Sequence, residues 1–186
     1  MTKHSNGKGG NYAKSKTTKS SFICSSNLQE GKDHKAFEKV LLKFLKEQNV
    51  LHLSTCKNNL PRTTPLEYRL HGLTFYILSE GGSKFNNLKV NKNVSFSIAA
   101  TYHPKEDFWG AKGVQAWGKA KVYSMKTNPR RFKDALKKMK ALDTMKKIGM
   151  KELPPQFNYR IIEITPDRIN YGNIREGVYH VTWTKK

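Results

Sequence analysis

Cysteine is nearly absent: Cys24 and Cys56 are the only two in 186 residues. Two thiols so far apart fit no zinc-ligand spacing and build no disulfide framework. Acidic residues are also scarce, 14 against 35 lysines and arginines, which leaves a formal charge of +21 and a pI near 10.0. No apolar run approaches the roughly 20 residues that span a bilayer, and the charged N-terminus lacks the apolar core of a signal peptide. The glycine patterns GxGxxG and GxxxxGK[ST] are missing, which excludes a Rossmann fingerprint and a Walker A loop. The expectation is a reduced, cytoplasmic protein with no membrane partner.

A strongly basic surface attracts polyanions of any kind. No recognisable RNA- or DNA-binding motif accompanies it, so a nucleic-acid partner is not the leading reading. Residues 1–32 are rich in Ser, Thr, Gly, Asn and Lys. Such a segment buries too little surface to offset its ordering entropy and reads as a flexible basic arm. Residues 33–186 form the folded domain.

Within that domain the hydrophobic period is first helical, then two. Phe37, Val40, Leu41, Phe44 and Leu45 mark one face of an amphipathic helix. Asn49 to Cys56, Pro61 to Leu70 and Leu73 to Ser79 read as strands of an antiparallel meander, with turns at Asn58-Asn59 and His71-Gly72. Ser83 is placed to cap a short helix through Phe85 and Leu88. Val94 to Ala100 and Val114 to Tyr123 alternate as further strands, separated by a loop carrying His103, Phe108 and Trp109. Asn128-Pro129 starts a helix with Phe132, Leu136 and Met139 inward. Tyr159 to Ile164, Ile169 to Tyr171 and Val178 to Trp183 close the chain as two or three strands. Strands dominate and nothing alternates as βαβ, which argues for a closed or split antiparallel barrel with peripheral helices.

Two places have the makings of an anion site. Gly81-Gly82-Ser83-Lys84 leaves a strand and enters a helix, where free N–H groups, a hydroxyl and a lysine meet. In Arg62-Thr63-Thr64-Pro65, alternation puts Arg62 and Thr64 on one side and Thr63 and Pro65 on the other. Pro65 removes a ladder donor and marks an edge or a bulge. A hairpin joining the 61–70 and 73–79 strands would bring Arg62 beside Lys84. Neither histidines nor cysteines offer a metal site.

The run LSTCKNNLPRTTPLEYRLHGLTFYILSEGGSKFNNLKVNKNVSFSI resembles the core of the pyridoxamine 5′-phosphate oxidase-like flavoproteins. Val114 to Tyr123 with Gly118 is similar to that family's next strand, and Ile162 to Ile169 to its closing strand. The likeness covers about Phe37 to Trp183, and the order of the motifs carries it. It implies an FMN-binding split barrel that works as a homodimer, with FMN at the subunit interface. By that likeness Arg62, Ser83 and Lys84 hold the phosphate, with Asn87 one helical turn on. Main chain at Thr63, Thr64 and Pro65 meets the isoalloxazine ring, and Ile77, Leu78 and Ser79 meet the ribityl side and ring edge. Trp109, Gln115 and Trp117 are expected from the second subunit, with Trp183 a further candidate. The C-terminal arginine and histidine pattern that holds pyridoxal phosphate in the true oxidase is incomplete, so FMN rather than the vitamin substrate carries over. The implied activity is that of an FMN-dependent oxidoreductase, reduced by a nicotinamide or a redox protein. The alternatives are a non-catalytic flavin carrier or sensor, or a haem-, F420- or nucleic-acid-binding protein on the same fold.

Overall fold

The computed structural model describes residues 32–176 and 178–186. The basic arm, with Cys24, lies outside the described residues. The domain opens with helix α1 (Lys32–Glu47). Phe37, Leu41, Phe44 and Leu45 of its inner face are buried, while Val40 at the margin is exposed. No described helix is long and apolar enough to cross a membrane.

Eight strands follow: β1 (Val50–Lys57), β2 (Leu60–Glu67), β3 (Arg69–His71), β4 (Thr74–Ser79), β5 (Asn93–Ala99), β6 (Lys112–Ser124), β7 (Arg160–Asn173) and β8 (Val178–Thr184). Helix α2 (Lys84–Val90) separates β4 from β5, and α3 (Pro129–Lys138) and α4 (Ala141–Lys147) separate β6 from β7. All pairings are antiparallel, in the order β2-β1-β5-β6-β7-β4-β3, with β8 also on β7. β2 returns to touch β4, so the sheet curls into a split barrel.

Local chemistry explains the turns. Asn58 and Asn59 both have positive φ, 51° and 59°, the signature of a type I′ hairpin between β1 and β2. Asn128 caps α3 by accepting from the Arg131 N–H at 3.1 Å, with Pro129 at the first helical position.

Three expectations are corrected. The 61–70 strand breaks at Tyr68, whose buried ring packs 5.2 Å from Phe75 and whose hydroxyl donates to the Leu45 carbonyl at 2.6 Å. Serving the core and α1 turns Tyr68 out of the ladder, so β2 pairs with β1 while β3 pairs with β4. No hairpin therefore joins the Arg62 strand to β4. The 159–164 and 169–171 segments are not separate strands: β7 runs through Pro166 unbroken. The proline is tolerated because the β6 register shifts opposite it, between Trp117 and Gly118. Helix α4 was not expected; it follows from Lys140 taking a left-handed turn (φ 52°) that restarts the helix.

The core joins α1 to both sheet halves around Phe75, which meets Phe96 edge-on at 4.6 Å. A smaller cluster under α3 centres on Phe132, Tyr123 and Ile161. Gly118 sits so close to β7 that a Cβ there would lie 2.9 Å from the Thr165 carbonyl oxygen and 3.0 Å from the Pro166 Cα. Both neighbours are backbone, so they cannot swing aside. Gly118→Ala is expected to cost about 1–3 kcal/mol, read by urea denaturation; an unchanged midpoint would show that the crossing has slack.

Candidate functional site

The end of β4 leads through Glu80, Gly81 and Gly82 into α2. Gly82 has φ +104°, open to glycine and strained for any other residue. That turn lets Lys84 fold back over it. Its ammonium group donates to the Gly81 carbonyl and stands 4.9 Å from the Phe85 ring centroid. Lys84 is only 6% exposed, a rare state for a lysine.

Two arginines share its surroundings. Arg62 sits opposite Thr55 in the β1–β2 ladder. Thr55 is buried and accepts from the Asn87 side-chain amide at 3.1 Å, which ties α2 to the strand beside Arg62. Arg160, the first residue of β7, pairs across to Ser79 on β4 and to Ser124 on β6. Its guanidinium lies 4.7 Å from the Phe85 ring centroid. Burial, then Arg62, then Arg160 push the Lys84 pKa below its ordinary value. Among the described residues no carboxylate forms an ion pair with any of the three.

A buried cation facing two others without a counter-charge costs the fold free energy. The arrangement suits a phosphate dianion, which would offset two of the three positive charges and accept hydrogen bonds from these cations. Arg62 thus meets Lys84 as expected, but through the β1–α2 contact rather than a hairpin with β4. Arg160 escaped sequence reasoning because only β7–β4 pairing brings it to Ser79. Ser83 occupies the N-cap position of α2, but its hydroxyl makes no capping bond and is exposed. Its helical φ of −61° removes the extended geometry a side-chain cap needs.

The register distributes the other candidates over two faces. Arg62 and Thr64 point to the inner side of β2, as does the half-buried Leu66. Thr64 Oγ1 is buried without a hydrogen-bond partner. Ile77 is fully buried in the core, while Leu78 and Ser79 are half-buried at the end of β4. On the outer side, one row of partners crosses the sheet as Pro65, His52, Ser97, Gln115, Asn170 and Thr182. The next runs Thr63, Ser54, Ser95, Trp117, Arg168 and Thr184. Arg168 alone is charged, and it lies 4.2 Å over the Trp117 ring. Thr63 and Trp117 are three strand spacings apart, about 14 Å. Within one molecule they do not meet.

Trp109 is 58% exposed in the 100–111 loop, packed edge-on to Phe108 at 5.0 Å. Asp107 pins that loop by pairing with Arg175 and accepting from the Trp109 N–H at 3.1 Å. The loop adjoins the start of β6, while Arg160 lies opposite its far end, about 40 Å of strand away. In a single molecule Trp109 does not join the cation cluster. Trp183 is structural: it is buried, stacks near His34 at 5.9 Å and donates to Glu38 at 3.4 Å, fastening β8 to α1.

The family model described as pyridoxamine 5′-phosphate oxidase matches residues 37–172, well over half of the chain. A putative pyridoxamine 5′-phosphate oxidase from Listeria innocua is 20% identical, with a TM-score of 0.56 over 74% of this chain and 98% of that one. An FAD-binding protein from Mesorhizobium loti is 17% identical, TM-score 0.50, covering 70% and 88%. HutZ, a haem storage protein from Vibrio cholerae, is 14% identical, TM-score 0.55, covering 80% and 94%. At these identities the likeness concerns the fold. No curated protein matches the sequence.

The depressed Lys84 pKa fixes the sign of one prediction. Below that pKa the buried charge opposes folding, and the penalty fades as pH rises through it. Lys84→Met is expected to stabilise the ligand-free protein at pH 7 by about 1 kcal/mol or more, with the gap to wild type narrowing at alkaline pH. Denaturant midpoints across pH would test this. A destabilised Met variant at pH 7 would mean that the lysine is already compensated.

Proposed function

Because the chain belongs to the pyridoxamine 5′-phosphate oxidase family, we propose that it is an FMN-dependent oxidoreductase that works as a homodimer. The observation that carries the reading is the uncompensated cluster of Lys84, Arg62 and Arg160 at the end of β4. Its charge matches a flavin phosphate better than a neutral ligand.

Lys84 and Arg62 hold the phosphate in this reading, Arg160 adds a third cation, and Ser83 offers its free hydroxyl. Asn87 positions the floor by holding Thr55. Main chain of Thr63 to Pro65 faces the ring from an edge strand whose outer ladder groups have no protein partner in the sheet. The unpaired Thr64 hydroxyl fits a polar ligand edge. When bound, FMN supplies reversible one- and two-electron transfer. The protein's own part is to hold it, exclude water and set the local charge.

The homodimer gains support from the outer sheet face. In a chain of charge +21, the two rows from Pro65 to Thr182 and from Thr63 to Thr184 carry no lysine. A patch whose one cation, Arg168, is already held over an aromatic ring is suited to a second copy. Gln115, Trp117 and Trp109 then complete the partner's ring site, beyond their own molecule's reach.

Titration of the purified protein with FMN, followed by absorption and flavin fluorescence, tests this reading. Binding is expected, weakened about 10-fold or more in Lys84→Ala and in Arg62→Ala, as the loss of a charge-assisted hydrogen bond predicts. Affinity should fall as pH rises through the depressed Lys84 pKa, because the phosphate favours the charged lysine. A protein that ignores FMN but gives a Soret band with haem would replace the flavin by the cargo named for HutZ. Oxidation of NADH or NADPH by the FMN-loaded protein separates an enzyme from a carrier.

A further inference from the structure

Two clefts adjoin at Ser124, Lys126 and Asn158. One, of about 370 Å³, is walled by Phe85, Leu88 and Tyr123, with Lys89, Lys92 and Arg160 at its rim. The other, of about 420 Å³, lies between α3 and the 153–159 segment. Both are lined by Ser124, Lys126 and Asn158, so they form one groove. Either part alone falls in the size range of small-molecule sites.

The groove has a polarised lining. No Asp or Glu contributes to either cleft. Lys92 is tied to the Leu88 carbonyl, but Lys89 and Lys126 have no hydrogen-bond or ion-pair partner among the described residues. The far wall carries an exposed aromatic side chain. Phe157 is 45% exposed there, edge-on to Tyr159 at 5.9 Å, and the stiff Pro154-Pro155 pair precedes it. Amide and hydroxyl groups from Asn158 and Thr127 line the parts that the cations do not.

We propose that this groove is a second ligand site, for a phosphorylated aromatic heterocycle of mononucleotide size. The phosphate sits between Lys89 and Lys126, and the heterocycle covers the open face of Phe157. Free cations satisfy the first part, and an aromatic face otherwise left in water satisfies the second. Neither Lys84 nor Arg62 lines either cleft, so the site is separate from the flavin phosphate and does not rest on the flavin reading. Arg160, stacked on Phe85, is the wall shared by the two.

The test is calorimetric titration of the full chain with 5′-AMP, with and without saturating FMN, in about 0.15 M salt to screen diffuse attraction. Adenosine and inorganic phosphate serve as the two half-ligands. Binding of 5′-AMP is expected in both states, with each half-ligand at least tenfold weaker. Lys126→Gln and Phe157→Ser, both at the surface, should each weaken 5′-AMP about tenfold while leaving FMN affinity unchanged. Absence of 5′-AMP binding overturns the proposal. So does phosphate binding as tightly as the nucleotide, displacement of FMN by 5′-AMP, or full affinity in both variants. Binding of a single-stranded oligonucleotide without binding of 5′-AMP would assign the groove to nucleic acid instead.

Discussion

One strand organises this molecule. β7 is hydrogen-bonded along both edges for almost its whole length: to β6 on one side, and to β4 and then β8 on the other. A strand with no free edge has no freedom of register, because a slip of one residue would exchange the side chains of its two faces between the two core clusters. Ile161, Ile162, Ile164 and Ile169 are all fully buried. Such double pairing demands a bend where β4 gives way to β8, and Pro166, Gly118 and the bulge at Asp167 of β7 supply it. The same constraint fixes Arg160. As the first paired residue of β7, it is held between Ser79 and Ser124 and delivered to the mouth of the cation cluster.

The cluster shows how a basic protein uses selected charges. Most lysines are exposed and solvated, and such charges interact weakly across water. Lys84 differs because the glycine turn folds it inward over Phe85, where its own burial first, and then the nearby Arg62 and Arg160, oppose its charge. Burial makes each unit of mismatch expensive, and it makes each unit of compensation by an anion correspondingly favourable. A few residues placed in this way can select a phosphate that the other cations merely attract.

Much of this was legible in the sequence, and the failures have a common cause. Helical and twofold periods identified α1, β1, β5, β6 and α3, because each buries one regular face. The Gly81 to Lys84 turn was legible because glycines, a hydroxyl and a lysine coincide. The meeting of Arg62 with Lys84 was anticipated, but the route was not. Tyr68 reads as an ordinary strand residue until its hydroxyl finds the Leu45 carbonyl across the fold. Arg160 was invisible for the same reason: its role depends on pairing with Ser79, far back along the chain. Local pattern reveals faces; long-range register decides which faces share a site.

Register also limits where a ring site could be completed. Strands keep a spacing of about 4.8 Å, so Thr63 and Trp117, three spacings apart in one sheet, cannot close on the same flat ligand. Their side chains nevertheless share a face, with Pro65, His52 and Gln115 in the neighbouring row. Stacking two such faces about a twofold axis brings residues that are distant in one copy against each other across the interface. The two rows from Pro65 to Thr182 and from Thr63 to Thr184 contain no lysine, and their one arginine is held over Trp117. The separation that keeps these residues apart within a molecule is thus the geometric argument for a site shared between two.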